Sequence, residues 1–302
     1  MKKEQFQVTA DSNGERLDKY LSIIYPDFSR SFFQKQIKDQ MILINGKLEK
    51  SNYKVQTADL VEITFPDATE TAIEPEDIPL DILYEDDDIL IVNKPKGMVV
   101  HPSAGHTSGT LVNAIMYHCK DSLSGINGEI RPGIVHRIDM DTTGSLIVCK
   151  NDISHVAIAE QIKAHSCNRI YVGIVCGNVK EEEGTIDAPI GRHPIDRKKM
   201  AINEKNGKPA ITHYKVLKRF GKYTYMQFQL ETGRTHQIRV HMASIGHPLL
   251  GDNLYSKNSP FKNLQGQTLH AKTIGFVHPR TKEYMEFSAP LPKYFEDLLA
   301  KL

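Results

Sequence analysis

Between residues 66 and 90 the chain carries ten Asp or Glu and no Lys or Arg. A run of like charge that dense disfavours burial, because each buried carboxylate needs a partner. The stretch FPDATETAIEPEDIPLD, 65–81, also holds Pro and few large apolar residues. It reads as an acidic linker over 66–79. The linker cuts a chain of 302 residues into a small module, 12–65, and a larger domain, 80–302. Charge is distributed unevenly across that cut. Residues 1–65 hold 10 bases and 9 acids, whereas residues 91–302 hold 28 bases and 18 acids. A basic body is compatible with a polyanion such as nucleic acid, although Lys-rich surfaces also serve solubility.

The remaining composition excludes several classes. No apolar run approaches the ~18 residues that a membrane span requires. The N-terminal MKKEQFQVTADSNGERLDKYL has no apolar stretch of the kind a signal peptide needs. The four Cys (119, 149, 167 and 176) form no C-x-x-C pair, which suits free thiols in the cytoplasm.

In the small module, Leu17, Tyr20, Leu21 and Ile24 recur at helical spacing and Pro26 stops the run. A second helix begins near Ser29, a plausible N-cap, and places Phe32, Phe33 and Ile37 on one face. MILINGKLE is a strand entering an Asn-Gly turn, and DLVEITF closes the module as another strand. In the larger domain, LDILYEDDDILIVNKP is a hairpin, TLVNAIMYHC and ISHVAIAEQIKAH are helices, and strands recur at IYVGIVCG, THYKVLKRF, YTYMQFQLE and IGFVHP. Hairpins with scattered helices predict an α+β fold on a mixed, largely antiparallel sheet.

Chemistry concentrates in GIVHRIDMDTTGSLIVCK, 133–150. His136, Arg137, Asp139 and Asp141 lie between two apolar strand-like runs, with Thr142, Thr143 and Gly144 as turn formers. A scaffold of that kind can hold one carboxylate, and Asp139 is the candidate; capping a turn is the plainer role, and Asp141 fits it better. In LETGRTHQIRVH, 230–241, Arg234 follows a Thr-Gly turn and could pair with a buried carboxylate; its plainer role is a surface salt bridge. His236 and His241 are five apart with no H-E-x-x-H and no third ligand nearby, so no metal is expected. Tyr171, at the start of a strand, is either core or a ring stacked on a planar base. NKPKGMVVHPSAGH, 93–106, lacks the nucleotide-loop pattern. Arg16, Lys19, Arg30, Lys35 and Lys38 lie near the two helices of the small module, where they could contact RNA phosphates.

At these residues the sequence resembles the RluA-type family of RNA pseudouridine synthases. GIVHRIDMDTTGSLIVCK resembles the family's H-R-L-D-x-x-T-[ST]-G segment, and RIYVGIVCG its K-x-Y strand. GKPAITHY (207–214), LETGRTHQIRVHMASIGHPLLGD (230–252), LHA (269–271) and APLP (289–292) resemble further blocks in family order. EDDDILIVNKPKGMVVHP resembles the family's first hairpin, and 15–65 resembles the S4 RNA-binding module. Ile138, Met140 and Arg169 depart from the usual Leu, basic residue and Lys.

The resemblance implies a pseudouridine synthase fold with a curved mixed sheet, preceded by a helix–helix–strand S4 module. It implies isomerisation of uridine in structured RNA with no cofactor and no metal. The layout looks most like that of the members that act on large-subunit ribosomal RNA, with tRNA as the alternative substrate. By motif position Asp139 is the catalytic Asp, Tyr171 the active-site Tyr and Arg234 the Arg that pairs with the Asp. Arg137 matches the Arg that enters the gap left by the flipped nucleotide, with His136 beside it as a further RNA contact. A cytoplasmic monomer is expected. Readings from other classes are a non-catalytic RNA-binding protein, which has no need of the Asp139, Tyr171 and Arg234 set, and a metal-dependent hydrolase, which would lose activity to a chelator.

Overall fold

The computed structural model describes residues 2–25, 30–65, 73–102, 106–120, 123–124, 132–196, 198–256, 261 and 264–302. Two compact units emerge, Met1–Ala72 and Ile73–Leu302.

The first unit is a four-stranded antiparallel sheet with two helices. Strand β1 (Lys2–Gln7) pairs β4 (Leu60–Phe65), which pairs β2 (Ile42–Ile44), which turns into β3 (Lys47–Leu48). The Asn-Gly turn between β2 and β3 holds φ +52° at Asn45 and +73° at Gly46, the left-handed pair a two-residue hairpin demands. Helices α1 (Leu17–Ile24) and α2 (Arg30–Lys38) bury Leu17, Tyr20, Leu21, Phe33 and Ile37 against Ile42, Ile44, Val61 and Ile63 of the sheet. Strand β1 was not legible in KKEQFQ, which is polar apart from Phe6, so the unit starts ten residues before the expected boundary. The expected cap at Ser29 and stop at Pro26 lie outside the described residues.

The expected linker ends early. Ile73 and Leu80 pack against the core of the second unit. Asn113 donates to Glu74 O (2.8 Å), Glu76 N–H donates to Asn113 O (3.0 Å), and the Glu76 carboxylate accepts Gly109 N–H (3.0 Å). Residues 73–79 are therefore tied to the N-terminal end of α3 (Leu111–Cys119), where negative charge is favoured.

The second unit is built on a nine-stranded mixed sheet. Its strands are β5 (Ile82–Glu85), β6 (Ile89–Lys94), β7 (Thr143–Cys149), β8 (Asn168–Cys176), β9 (Glu183–Asp187), β12 (Ile211–Arg219), β13 (Tyr223–Leu230), β14 (Leu269–Val277) and β15 (Tyr284–Ser288). The order is β5-β6-β7-β14-β8-β13-β12-β9, with β15 continuing along β14, and only the β7–β14 pair is parallel. A separate hairpin joins β10 (Ile190–Arg192) to β11 (Met200–Ile202).

The central strands read as unbroken apolar runs because both faces are covered. Leu90, Val92, Leu146 and Val148 face the core that receives α3, while Ile89, Ile91, Ile147 and Cys149 face the core that receives α4 (Asp152–Lys163). Both helices start on capping boxes, Thr110 with Asn113 and Asn151 with Ser154. Two helices escaped the sequence reading. Helix α5 (Gln237–Ser244) follows β13, and α6 (Lys293–Lys301) buries Phe295 and Leu298 against Val172, Ile174 and Leu250.

Candidate active site

The turn that carries Asp139 is formed where a strand edge runs out of partners. Strand β7 pairs β14 only at Thr143 and Gly144, so beyond Gly144 that edge is open to the segment before it. Cys149 N–H donates to Gly133 O (2.8 Å), and Ile134 bridges Val148. The next free donor, Ile147 N–H, is taken by the His136 ring at Nε2 (3.0 Å) instead of by a backbone carbonyl. At that point the main chain leaves the sheet, and Arg137 to Thr142 cross above it.

The turn itself is pinned from beneath. Thr142 N–H donates to Asp139 O (3.0 Å). Met140 O accepts both Gly97 N–H (3.0 Å) and the ammonium of Lys94 (2.9 Å). Lys94 is buried and also donates to Pro95 O and Met98 O, both at 2.8 Å, which satisfies all three of its protons. At Gly144 φ is +109°, and a Cβ there would collide with the main chain of Ala271, so β7 and β14 can meet only through a glycine. Thr143 Oγ1 bonds His270 Nδ1 (2.8 Å) on the neighbouring strand. Burial lowers the His270 pKa to about 4, so this buried ring is neutral.

The partner of Asp139 is Arg239, not Arg234. One Arg239 nitrogen, Nη1, donates to Asp139 Oδ2 (2.9 Å), while Nε and Nη2 grip both oxygens of Asp252 at 2.7 and 3.0 Å. Arg239 and Asp252 are buried, and their fork-to-fork bond orients the guanidinium toward Asp139. Burial opposes the Arg239 charge, but Asp252 and then Asp139 outweigh it and raise its pKa above the ordinary value. Arg234 instead donates from Nε to Pro209 O (2.9 Å) on the pocket rim. The reason is the fold of 234–244. Helix α5 starts after His236 and places Arg239 on its inner side, whereas Arg234 belongs to the preceding loop.

Asp139, Arg137, Tyr171, Arg234 and Arg239 line one cavity of about 470 Å³. Its inner wall is apolar, with Ile138, Tyr171, Leu230, Ile238 and Leu269. Basic side chains share the lining: Arg137, Lys163 and Arg234, with the buried Arg169 and Arg239, against the single carboxylate of Asp139. Tyr171 sits on β8, and burial raises its phenol pKa above the ordinary value, so it is protonated at neutral pH. Asp139 Oδ1 lies 4.0 Å from His236 Nε2 and accepts no hydrogen bond from a described residue. The site thus offers one carboxylate oxygen to a cavity lined by apolar side chains, one Tyr ring and several cations.

Three expected RNA contacts are differently engaged. His136 is no cation, because burial pushes its pKa down to about 3 and its Nε2 accepts from β7. Arg16 and Arg30 both donate to Asp18, which has no exposed side-chain surface; Arg16 reaches it at 3.1 Å and Arg30 at 3.0 Å, with 45% and 46% of their own side chains exposed. Burial raises the Asp18 pKa, but Arg16, Gln34 and Arg30 together pull it well below the carboxylate range. Arg30 thus ties α2 to α1, Arg16 braces the first turn of α1, and both still present nearly half their side-chain surface. Lys35, Lys38 and Arg137 are exposed. Among the described residues, one cluster has metal-like spacing, Asp86, Asp88 and His278, but Arg280 already bridges Asp88 (2.5 Å) and His278 bonds Asp86 (2.9 Å).

Comparison with known proteins agrees with this geometry. Residues 88–244 match the RNA pseudouridylate synthase family and residues 15–61 the S4 domain. The Bacillus subtilis RNA pseudouridine synthase YlyB is 49% identical over 99% of this chain and 98% of its own length. Ribosomal large subunit pseudouridine synthase D of Pasteurella multocida is 42% identical over 96% of this chain and 91% of its own, and that of Escherichia coli O157:H7 is 40% identical over 98% and 93%. The solved human RNA pseudouridylate synthase domain containing 1 superposes with a TM-score of 0.58 at 25% identity, over 76% of this chain and 87% of that one. This chain belongs to the RNA pseudouridine synthase family and carries an N-terminal S4 domain. It is an isomerase that acts on uridine in RNA.

Proposed function

We propose that the chain converts uridine to pseudouridine in large-subunit ribosomal RNA, as a cytoplasmic monomer without metal or cofactor. The substrate assignment is supported by the names of full-length relatives at 40–42% identity. The chemistry is supported above all by one observation, the Asp139 carboxylate held by Arg239 at 2.9 Å beside an apolar slot floored by Tyr171. A target uridine must leave its stack to reach that slot. Arg137, exposed where it lines the cavity, fills the space it vacates, and Lys163 and Arg234 hold the flanking phosphates. Ile138, Leu230 and Leu269 enclose the uracil, with Tyr171 against its face.

Asp139 acts on the ribose, at C1′ or at the neighbouring C–H. The C1′–N1 bond breaks, the ring turns in the slot, and C5 bonds to C1′. The C5 proton is lost and N1 gains one, so no atom is added overall. Arg239 pairs with the carboxylate throughout. Lys35, Lys38 and the exposed halves of Arg16 and Arg30 add phosphate contacts from the S4 unit. The test is tritium release from C5-labelled uridine in RNA with Asp139→Asn, an amide that is near-isosteric but neither nucleophile nor base. Activity within about tenfold of wild type, ~1.4 kcal/mol in the barrier, would move the chemistry to another residue. Mapping pseudouridines in RNA from cells with and without the chain decides between ribosomal RNA and tRNA.

A further inference from the structure

His236 holds a backbone conformation that L-residues avoid, with φ +57° and ψ +23°, at the N-cap position just before α5. Its ring is locked from behind. Tyr255 Oη accepts Met200 N–H (2.8 Å) and lies 2.9 Å from His236 Nδ1. With one lone pair used by Met200, the phenol proton has Nδ1 as its acceptor among the described residues. Tyr255 keeps that proton, since burial pushes its pKa up to about 12. Burial also lowers the His236 pKa, so the ring is neutral; with Nδ1 accepting from Tyr255, the geometry assigns its single proton to Nε2. That N–H faces Asp139 Oδ1 across 4.0 Å.

A gap of that length is too long for a direct hydrogen bond and fits one intervening oxygen. An oxygen at ordinary hydrogen-bond distance from both atoms subtends about 90° between them, and it must accept from Nε2 and donate to Oδ1. Water does both in the free protein, and among the oxygens of a nucleotide within RNA only the 2′-hydroxyl does; a phosphate oxygen or a uracil carbonyl cannot donate. We propose that His236 and Asp139 clasp the 2′-hydroxyl of the target ribose, with His236 as a specificity-determining residue that Tyr255 holds in the donating tautomer. This rests on the reading of Asp139 as the group that acts on the ribose. The 2′-hydroxyl is what separates RNA from DNA at one nucleotide, so the clasp places sugar discrimination at the reacting centre.

Two measurements test this. The first needs no RNA: nitrogen-15 chemical shifts of His236 at neutral pH should show the Nε2–H tautomer in wild type and a mixture in Tyr255→Phe. An Nδ1–H tautomer in wild type would overturn the lock. The second compares affinities for a large-subunit ribosomal RNA fragment carrying uridine or 2′-deoxyuridine at the position the chain modifies. Wild type should bind the deoxy RNA about tenfold more weakly, the worth of one such hydrogen bond. His236→Leu should bind both within about twofold. Undiminished discrimination in His236→Leu refutes the clasp. If no uridine in ribosomal RNA is modified at all, the substrate reading fails, and the nitrogen-15 result still judges the lock.

Discussion

Arg239 is the residue whose loss should be felt in two separable ways. Arg239→Met removes the cation between Asp252, 1% exposed, and Asp139, whose side chain is 19% exposed. Met matches the stem but takes from the buried Asp252 carboxylate its two guanidinium donors at 2.7 and 3.0 Å, leaving the N–H groups of Leu254 (3.0 Å) and Tyr255 (3.2 Å) on Oδ1 and no counter-charge. Removing one partner of a buried pair costs about 3–5 kcal/mol, most of it the stranded charge. Asp139 can draw on solvent and contributes little to that figure, so its share appears in activity. Urea unfolding followed by circular dichroism should therefore show about 3–5 kcal/mol lost in the transition of the second unit. Adding Asp252→Asn to Arg239→Met should restore part of it, because the stranded charge is gone. Tritium release should fall by at least ~100-fold in kcat, the usual scale for a lost charge-stabilising donor. Arg234→Met is the control. Its Nε bond to Pro209 O is at the pocket rim, so stability should change by less than ~1 kcal/mol and the loss should fall on KM. A cost below ~1 kcal/mol for Arg239→Met, or kcat falling more in Arg234→Met, would refute the assignment.

Gly144→Ala should destabilise by roughly 2–4 kcal/mol and depress activity, because the methyl group meets Ala271 O at a strained φ; calorimetry and tritium release check it. His136 has its folded pKa at about 3, below the ordinary value of 6.5, so between those values the unfolded chain binds the extra proton. Stability should fall as pH drops from 6.5 toward 3, by up to ~1.4 kcal/mol per pH unit from this group, and His136→Gln should show a shallower fall in urea titrations at each pH. Deleting residues 1–72 should leave a folded unit that still turns over saturating RNA, with weaker binding and a shallower slope of log affinity against log salt; an unchanged slope would remove the S4 unit from the RNA contact.

Strands and helices with a clean period were legible. YTYMQFQL alternates and became β13, and TLVNAIMYHC carries its Thr cap and became α3. KKEQFQ carried no such period: β1 is an edge strand with most of its side chains exposed, defined by its pairing with β4, by Phe6 packed on the core and by the Tyr25 bond to Glu4. QIRVHMAS defeated the reading for the opposite reason. It buries Gln237, Arg239 and His241 as well as Ile238 and Val240, so its inner face carries polar residues that find partners only in three dimensions. Gln237 bonds Thr232 and Thr212, His241 bonds Thr212 and Ala188 O, and Arg239 bonds the two Asp.

That pattern accounts for the one misassigned pair in the site. Two Arg lie five positions apart on either side of a His, and the sequence reading took the one just after the Thr-Gly turn, Arg234, as the partner of the loop carboxylate. The deciding fact was remote. Asp252, 13 residues on, supplies the second carboxylate that makes burial of Arg239 affordable and fixes its plane. His136 inverts the same logic. A His beside an Arg looks like a phosphate contact until the open edge of β7 claims its ring nitrogen, and an imidazole that accepts a backbone N–H has no charge to offer RNA. In this fold the charged residues that look most available along the chain anchor the scaffold, as Arg16, Arg30 and Lys94 also do. The carboxylate left with an unengaged oxygen is the one that Arg239 and Lys94 were recruited to hold still.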